Sequence, residues 1–476
     1  MKEGYVPKDQ RKKILLMCDD IRLPSGIGTV GRELILGTAH RYNWVNLGGE
    51  IDHPEFGKRF DLSEDTNKNT GITDASVVVI PYNGYGDPTT LRKLLEEEQP
   101  DAIFLITDPR YWVWLFQIEN EIRKQIPIAY LNIWDDLPAP YYNKAFYESC
   151  DALFGISKQT VNINKLVLDD KAKGKIIKYV PHGLNPKILY PLKDKENNKE
   201  FQEFKKHLLK GKEYDFVVFF NSRNIRRKQV PDTILAFKTF LDKLPKEKAK
   251  KCLLLLHTEA VLDHGTDLPA IIKTICPKDN IVITNTRFSV EQINYLHNMA
   301  DVQILLTSNE GWGLSLTEAL LVGNPIIANV TGGMQDQMRF EDENGNWIDF
   351  NADFPSNHRG TYKKHGEWAF PVYPTSRSLQ GSPPTPYIFD DRCNWEDAAD
   401  QIMEVYNLSS KERKDKGNKG RNWALSNEAG FTQEHQAQRI IEGMDELFST
   451  WKPREKFEFI NATDYNLPVL NHKLIY

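Results

Sequence analysis

Cysteines and long hydrophobic runs are both scarce in this chain of 476 residues. Its five cysteines are scattered and include no Cys-x-x-Cys pair, so neither a disulfide framework nor a zinc site is indicated. The amino terminus is basic, but its apolar segment from Ile14 to Cys18 has only five residues, too few for a signal peptide or a membrane span. The sequence therefore predicts a protein of the reducing cytoplasm that has no transmembrane segment.

Charge of one sign is also lacking. The formal net charge is only −5 at pH 7, which predicts no strong general attraction to nucleic acid or to an anionic membrane. A local basic patch could still provide one, and the clearest basic clusters are Lys171 to Lys178 and Arg226 to Lys228. No internal repeat is evident. A chain of this length suffices for two or three domains, and each half is long enough for its own core.

What is present is an alternation of apolar, β-branched runs with helical stretches. The strand-like runs lie at 14–18, 76–80, 102–106, 128–132, 215–220, 252–257, 281–283, 302–306 and 326–330. Such alternation is typical of βαβ units and predicts an α/β fold with doubly wound parallel sheets. A charged run from Lys193 to Lys212 interrupts it and predicts a linker followed by an exposed helix. We therefore expect one domain over residues 1–192 and a second over residues 193–431.

Residues 352–394 depart from this alternation. The segment contains six prolines and shows little helical periodicity, so we predict an irregular loop there. This excursion belongs to the second domain, where it could line a ligand cleft. Helical patterns return at Trp395 to Tyr406 and at Thr432 to Trp451.

The most informative segment is Asn309 to Gly333, which lies between the predicted strands 302–306 and 326–330. Its pattern is that of a glycine-bracketed turn followed by an apolar helix. In a parallel sheet this turn lies at the carboxyl ends of the strands, where open α/β folds bind ligands. Gly311 and Gly313 have no side chains where a ligand would contact the backbone, and the amides that open the helix would bind a phosphate.

Two carboxylates flank this predicted phosphate site. Glu310 precedes the helix and Glu318 lies about one turn inside it, so both can accept hydrogen bonds from the hydroxyls of one ligand. A phosphate beside a polyol indicates a nucleotide sugar. The residues of the turn that we expect to contact this donor are Gly311, Trp312, Gly313, Leu314 and Ser315. The alternative interpretation is a solvated loop whose glutamate is favoured by the helix dipole.

This segment resembles the E-x7-E signature of the retaining glycosyltransferases of family 4, which have the two-domain GT-B fold. The resemblance implies that Glu310 contacts the donor sugar and that Glu318 binds the ribose hydroxyls. It also implies two Rossmann-like domains that face each other across a cleft. The enzyme would then transfer a hexose or a pentose from a nucleoside diphosphate sugar, which is a co-substrate, and would need no other cofactor.

A basic motif follows the predicted strand 215–220. Arg223 and Lys228 resemble the pair with which the family clamps the donor pyrophosphate. The planar guanidinium of Arg223 and the flexible ammonium group of Lys228 suit a diphosphate whose leaving oxygen gains negative charge. The glycine that usually follows this lysine in the family is Gln229 here. The alternative is a basic turn that is simply solvated.

Further landmarks follow in the order of the family. The loop with Gly26 and Gly28 resembles the glycine loop that faces the donor. His182 lies in a segment that resembles the loop ending the N-terminal domain, from which it could reach the donor, although a structural histidine is equally consistent. In GT-B enzymes the last helix crosses back, so residues 432–476 are predicted to be a helix and tail that return to the first domain.

A metal ion is not expected. Metal-dependent transferases of the other common fold hold a cation with an Asp-x-Asp pair, and no two aspartates in this chain are two residues apart. Adjacent pairs such as Asp19 and Asp20 would point in alternate directions on a strand, so they are poor chelators. We therefore predict a metal-independent enzyme.

The N-terminal half has no histidine at the strand end where family 4 enzymes commonly place one. Asp135 and Asp136 follow the strand at 128–132, and Asp108 follows the strand at 102–106. Each aspartate is a candidate to orient the acceptor or to act as general base, and we assign Asp135 to catalysis. An aspartate after a strand also commonly caps the next helix, which is the alternative for all three.

Two other functions stay open at this point. Gly26-x-Gly28-x-x-Gly31 matches the dinucleotide fingerprint and would fit an NAD(P)-dependent oxidoreductase, but residues 19–25 intervene after the strand. A non-catalytic sugar-nucleotide-binding protein is the other. The acceptor is open between a glycan, a lipid and a modified nucleobase. The composition of Ser378 to Pro386 resembles glycosyltransferase-like proteins of bacterial viruses, whereas the acidic net charge disfavours a DNA acceptor.

Overall fold

The computed structural model describes residues 4–50, 52–277, 280–351 and 356–455. Its strands fall into two large sheets and one hairpin. The strands are β1 Lys12–Asp19, β2 Tyr42–Glu50, β3 Phe60–Asp61, β4 Val77–Asn83, β5 Ala102–Ile106, β6 Ile128–Asn132, β7 Ala152–Gly155, β8 Ile176–Tyr179, β9 Phe216–Asn221, β10 Cys252–His257, β11 Ile281–Thr284, β12 Val302–Leu305, β13 Ile326–Asn329, β14 Ala369–Val372, β15 Ser376–Ser382 and β16 Thr385–Arg392.

Helices connect most of the strands, and a short 3-10 turn occupies Arg226–Lys228. The α-helices are α1 Gly26–Thr38, α2 Ser63–Thr70, α3 Pro88–Glu98, α4 Val113–Gln117, α5 Glu119–Ile122, α6 Lys144–Glu148, α7 Lys158–Leu168, α8 Lys199–Leu208, α9 Val230–Asp242, α10 Lys246–Ala249, α11 Leu268–Ile275, α12 Val290–Met299, α13 Leu314–Val322, α14 Met334–Met338, α15 Trp395–Asn407, α16 Ser410–Ala424 and α17 Gln433–Thr450.

The first sheet has eight strands in the order β3-β4-β2-β1-β5-β6-β7-β8. Every neighbouring pair is parallel except β3 with β4. The chain moves outward from the centre in both directions, so the order reverses between β1 and β5. The turns that follow these two strands therefore adjoin at the carboxyl edge of the sheet, where open α/β folds bind ligands.

The second sheet has six parallel strands in the order β11-β10-β9-β12-β13-β14. Its central strands are apolar and fully buried, as at Val218 to Phe220 in β9, because the faces of a parallel sheet are covered by its crossover helices. The order reverses between β9 and β12. This reversal brings the basic motif after β9 next to the turn that precedes α13.

Helix α17 lies against the first sheet although its sequence follows the second. Arg41 Nη2 lies 2.8 Å from Asp445 Oδ2. A Cβ added at Gly37 in α1 would lie 2.9 Å from the Ala437 Cβ, so the missing side chain permits this close helix contact. The domain limits at residues 192 and 431 stay predictions. Residues 456–476 of the predicted tail lie outside the described residues.

The prediction of an irregular loop over residues 352–394 is wrong for the part of that segment that the structure describes. Strand β14 joins the second sheet, and β15 and β16 form an antiparallel hairpin. The prolines occupy positions that strands tolerate: Pro371 lies in the edge strand β14, and Pro383 and Pro384 lie in the hairpin turn. The stretch 352–355 lies outside the described residues.

All five cysteines are buried and free of disulfide bonds. Burial raises the pKa of the Cys150 thiol to about 12, so this group stays a neutral thiol at physiological pH. In the described part of the chain, no helix is both long and apolar enough to cross a membrane.

Candidate active site

The turn before α13 packs closely against the N-terminal domain. Gly313 caps the helix with φ +87°, a conformation that favours glycine. A Cβ added at Gly311 would lie 2.6 Å from the Ile133 carbonyl oxygen, so only glycine permits this approach between the two domains. The first backbone amides of α13, beginning at Leu314, have no acceptor within the helix. The sequence predicts that they bind an anion, and the Leu316 amide among them already donates to the Gly313 carbonyl oxygen at 3.0 Å.

Glu310 is held by two cations at this turn. Its Oε2 forms an ion pair with Lys228 Nζ and lies 3.0 Å from Arg227 Nη1. Arg227 Nη1 also donates to the Asn309 carbonyl oxygen at 2.7 Å. Burial alone would raise the pKa of Glu310, but Lys228 and Arg227 outweigh it and lower that pKa to about 2. Glu310 is therefore a carboxylate at any working pH.

Glu318 is also fixed before any ligand binds. It lies one turn inside α13, and its Oε2 accepts hydrogen bonds from Asn221 Nδ2 at 2.8 Å and from His297 Nε2 at 3.0 Å. Asn221 ends β9 and His297 lies in α12, so three elements converge on one carboxylate oxygen. The second oxygen of Glu318 has no such partner among the described residues. The carboxylate is therefore oriented to accept hydrogen bonds from a ligand.

Asp135 faces this cluster from the first domain. A Cβ added at Gly311 would lie 3.1 Å from Asp135 Oδ1, which places the carboxylate beside the turn. Among the described residues its side chain has no hydrogen-bond partner. Burial raises the pKa of Asp135 above its ordinary value, and the nearby Glu310 acts in the same direction while Arg227 opposes both. Of the three candidate aspartates, Asp135 is therefore the one whose carboxyl group is unpaired among the described residues.

The two other candidate aspartates have structural partners. Asp136 is fully buried, and its carboxylate accepts from the Leu137 amide at 2.7 Å and from the Thr331 hydroxyl at 3.2 Å. Asp108 accepts from the Arg110 amide at 3.0 Å and forms an ion pair with the Arg110 guanidinium. Asp108 therefore caps the turn that follows it, and Asp136 makes a contact between the two domains.

The glycine loop after β1 reaches the start of α13. Ser25 caps α1 by accepting from the Gly28 amide at 2.9 Å. A Cβ at Gly28 would lie 2.8 Å from the Leu23 carbonyl oxygen, so this glycine is required by its own loop. A Cβ at Gly26 would lie 4.0 Å from Leu314 Cδ1, which is an ordinary contact. Gly26 therefore faces α13 across the cleft.

His182 and Trp312 are buried beside each other. Their ring centroids are 6.4 Å apart, and the Trp312 indole donates to the Thr317 hydroxyl at 2.9 Å. Burial lowers the pKa of His182 to about 4, so the ring is neutral at pH 7. Its Nδ1 has no hydrogen-bond partner. Ser315 is buried as well, so the first turn of α13 presents its amides more than its side chains.

Arg223 lies apart from this cluster. Its side chain is 72% exposed, and its Nε lies 3.6 Å from Glu259 Oε1. The structure brings Glu310, Lys228 and Asp135 together but leaves Arg223 at the surface. Arg227, which the motif did not assign, occupies the position beside Glu310. The doubled arginine before Lys228 was the available signal, but the spacing from the strand favoured Arg223.

A cavity of about 750 Å³ adjoins the cluster. Asp135, Arg227 and Asn309 form its inner wall, and the hairpin β15–β16 forms its outer wall. Thr107, which directly precedes the cavity-lining Asp108, has φ 133°, a backbone conformation that β-branched residues rarely adopt. Strained backbone of this kind clusters at functional sites, which supports the assignment of this region.

The described residues contain no group of three or more His, Cys, Asp or Glu side chains that could hold a metal ion. Metal independence stays a prediction. Glu310 is paired with Lys228 and Glu318 with Asn221, whereas Asp135 has no partner among the described residues.

One family of known proteins matches part of the chain. Residues 198–354 match the family described as glycosyl transferases group 1, and this stretch contains both Glu310 and Glu318. No curated protein sequence matches the chain.

Several solved structures are similar in fold. HepE from Anabaena in complex with UDP and glucose has a TM-score of 0.63 and 14% identity, covering 92% of this chain and 100% of its own. A sucrose-phosphate synthase from Thermosynechococcus elongatus has a TM-score of 0.64 and 15% identity, with coverages of 92% and 100%. A trehalose-phosphate synthase (UDP-forming) from Burkholderia vietnamiensis has a TM-score of 0.62 and 10% identity, with coverages of 92% and 98%. The chain therefore has the GT-B fold, and residues 198–354 match the family model of glycosyl transferases group 1.

Proposed function

We propose that the protein is a metal-independent glycosyltransferase that moves a hexose or pentose from a nucleoside diphosphate sugar to an acceptor hydroxyl with retention of the anomeric configuration. The retaining outcome and the assignment to family 4 rest on the resemblance at Glu310 and Glu318. UDP-sugars are the first donors to test, because HepE binds UDP and glucose and the similar trehalose-phosphate synthase is UDP-forming. The buried, free cysteines support a cytoplasmic location.

One observation carries the proposal: Arg227 and Lys228 hold Glu310 at the start of α13, opposite Asp135. Two cations beside one ionised carboxylate leave a surplus of positive charge at this point. The free amides of the helix add to that surplus. A diphosphate would neutralise it, and the neighbouring carboxylates would bind the hydroxyls of an attached sugar.

The same arrangement suits the chemistry of transfer. As the bond to the anomeric carbon breaks, negative charge grows on the β-phosphate, and cations placed there stabilise the transition state more than the ground state. Phosphate oxygens that engage Lys228 and Arg227 would release Glu310 from its ion pairs. The freed carboxylate of Glu310 would then accept hydrogen bonds from the donor sugar.

Asp135 is the group best placed to receive the acceptor proton. Its carboxyl lies beside Gly311 and has no protein partner among the described residues, so an acceptor hydroxyl could donate to it. Closure of the Gly26 loop onto Leu314 would exclude water that otherwise hydrolyses the donor. The acceptor itself would enter through the cavity that Asp135 lines.

The experiment is a donor panel scored by release of the nucleoside diphosphate, with and without candidate acceptors. Wild type should release UDP from at least one UDP-sugar. Glu310→Gln should lose activity by about 100- to 1000-fold, since it removes one preorganised charged contact. Glu343→Gln, a change of an exposed glutamate in a surface turn, is the matched control and should keep full activity.

Two results would assign a different function. Tight NADH binding without sugar-nucleotide binding would favour the oxidoreductase alternative at Gly26, Gly28 and Gly31. Thermal stabilisation by nucleotide sugars without diphosphate release, with every acceptor tried, would favour a binding protein that lacks catalysis.

A further inference from the structure

The residue after Lys228 departs from the family pattern. Gln229 stands where a glycine is usual, and it adopts φ 51° and ψ 41°, the left-handed conformation that is costly for residues other than glycine. The backbone therefore keeps the shape that suits glycine while the chain supplies a side chain. A side chain held under strain indicates a role for its amide.

That amide positions an arginine from the hairpin. Arg392 Nη2 donates to Gln229 Oε1 at 2.6 Å, and Arg392 is the last residue of β16. Arg226 lies three residues before Gln229, and its backbone carbonyl oxygen accepts from the backbone N–H of Gln229 at 3.3 Å. All three side chains line the cavity that also contains Asp135. Arg392 therefore contacts the Gln229 carboxamide, and Arg226 lines the same cavity.

These groups are donors that lack matching acceptors. The Arg226 side chain has no hydrogen-bond or ion-pair partner among the described residues. Arg392 has only a distant carboxylate, with 3.5 Å between its Nη2 and Asp232 Oδ2. The Gln229 Oε1 is used by Arg392, which leaves the Nε2 protons as donors. A cluster made only of cations and N–H donors fits an anion.

The other arginines of the cavity have closer carboxylate partners. Arg110 forms an ion pair with Asp108, and Arg227 forms one with Glu310. This contrast separates the cluster of Arg226, Gln229 and Arg392 from the donor cations next to it. We call these three residues the Gln229 cluster.

We propose that the Gln229 cluster binds an anionic oxyacid group, a phosphate or a carboxylate, on the acceptor. The inference rests on the proposed function, because it places this group in the acceptor half of the cavity with a hydroxyl directed to Asp135. Arg226 and Arg392 bind the anion, and Gln229 is a positioning residue that holds Arg392. The acceptor is thus an acidic small molecule such as a phosphorylated or oxidised sugar.

The hairpin limits the acceptor to a small molecule. It belongs to the second domain but reaches the first: the Tyr142 hydroxyl donates to the Tyr387 carbonyl oxygen at 2.8 Å, and the Phe389 amide donates to the Leu137 carbonyl oxygen at 2.8 Å. The hairpin therefore bridges the two domains along one wall of the cavity of about 750 Å³. This volume suits a compound the size of a sugar phosphate.

The test is calorimetric binding of glucose 6-phosphate, glucuronate and inorganic phosphate, with glucose as the uncharged control. Wild type should bind the charged compounds and not glucose. Arg226→Ala and Arg392→Ala should each weaken that binding by roughly 10- to 100-fold, as expected for loss of a charged hydrogen bond. Arg287→Ala is the matched control, since it removes an exposed arginine that does not line the cavity, and it should leave this binding unchanged.

Gln229→Gly is a variant that should not misfold, because glycine suits the left-handed backbone at this position. It should fold at least as stably as wild type but lose most of the preference for charged compounds over glucose. In transfer assays it should raise the acceptor KM while kcat changes little. Equal binding of glucose and glucose 6-phosphate, or anion binding that survives both arginine changes, would overturn the proposal. Tight binding of a short single-stranded oligonucleotide in place of the small anions would overturn it too.

The two proposals fail in different ways. UDP and UDP-sugars should bind the Gln229→Gly and Arg226→Ala variants as they bind wild type. If wild type binds nucleotides normally but binds no anion, only the proposal that the Gln229 cluster is an acceptor subsite is wrong. Anion binding that depends on Arg226, in a wild type that binds no nucleotide sugar, removes the transferase function instead.

Discussion

Arg227 Nη1 lies 3.0 Å from Glu310 Oε2, so a residue that the motif does not assign is the arginine in contact with the predicted donor carboxylate. Burial would lower the pKa of Arg227, but the adjacent Glu310 raises it above its ordinary value. The guanidinium therefore stays charged inside the cleft. Arg223, which matches the pyrophosphate clamp by spacing, is exposed and paired with Glu259.

We expect Arg227→Gln to reduce kcat by about 100- to 1000-fold, which is about 3–4 kcal/mol of transition-state stabilisation. Arg223→Ala should act mainly through the donor KM and lower kcat by less than about tenfold, because Arg223 has no contact with the Glu310 cluster. Steady-state diphosphate release separates the two effects. If Arg223→Ala lowers kcat as much as Arg227→Gln, the motif assignment is right and the contacts seen here are not those of the reacting enzyme.

The glycine loop supplies a second prediction. Gly28→Ala should destabilise the protein by about 1–3 kcal/mol, because the new methyl group would meet the Leu23 and Asp20 carbonyl oxygens at 2.8 and 2.9 Å. Gly26→Ala should fold normally, since its nearest neighbour is Leu314 Cδ1 at 4.0 Å. If the diphosphate lies against this loop, Gly26→Ala raises the donor KM at unchanged melting temperature.

Thermal melts and donor titrations measure these effects, and each of the two variants is the control for the other. A Gly26→Ala variant with wild-type donor KM would show that the loop does not face the ligand. A Gly28→Ala variant as stable as wild type would show that the loop relaxes more easily than the backbone contacts indicate.

Asp336 predicts a pH dependence of stability. Its Oδ2 accepts from the Lys158 amide of the first domain at 2.9 Å, and burial raises the pKa of Asp336 to about 7. A carboxyl group whose pKa is raised by folding contributes its full stability below the unfolded pKa of about 3.9 and loses it as pH rises through the folded value. Stability should therefore fall between about pH 4 and 7, by up to about 4 kcal/mol from this group.

Asp336→Asn isolates that contribution, because the amide keeps an acceptor for Lys158 and does not titrate. Urea midpoints of wild type and variant should converge near pH 4, and the variant should be the more stable near pH 7.5. A constant difference across this range would mean that Asp336 does not titrate within it.

Glu318 gives a prediction about orientation. His297→Ala should raise the donor KM by about tenfold or more while leaving kcat nearly unchanged, because it frees a carboxylate that His297 and Asn221 hold at 3.0 and 2.8 Å. His297→Gln should retain much of the affinity, since the amide can also donate. Nucleotide titration provides the measurement. Equal effects of the two changes would assign His297 to packing against Phe219, whose ring centroid is 5.0 Å away.

The sequence predicted the main features of the fold because parallel strands are locally encoded. The runs at 102–106, 128–132 and 252–257 became β5, β6 and β10 with the same limits. Their residues are apolar or aromatic except for Asn132 and His257 at the carboxyl ends, and turn residues bound them, so the chain needs no distant partner to define them. The predicted helix after Glu310 is α13, which begins at Leu314, directly after Gly313.

The hairpin and the cations beside Glu310 were harder to predict, because both depend on tertiary contacts. Prolines 383 and 384 favour a turn, but only the pairing of β15 with β16 makes strands of the flanking polar residues. Arg223 and Arg227 are chemically alike, and which one faces Glu310 is decided by the 3-10 turn at Arg226–Lys228. No local pattern specifies that choice.

The final prediction concerns proton transfer by Asp135. As a general base it must be ionised, and burial raises its pKa, so transfer rates should rise with pH and level off above a pKa higher than that of an ordinary aspartate. Asp135→Asn should reduce kcat by about 100- to 10000-fold and abolish this rise, while nucleotide binding stays unchanged. Asp136→Asn is the neighbouring control and should leave the pH profile intact, because Asp136 is occupied by Thr331 and Leu137. A wild-type profile in Asp135→Asn would show that the acceptor loses its proton to another group, with the donor phosphate as the next candidate.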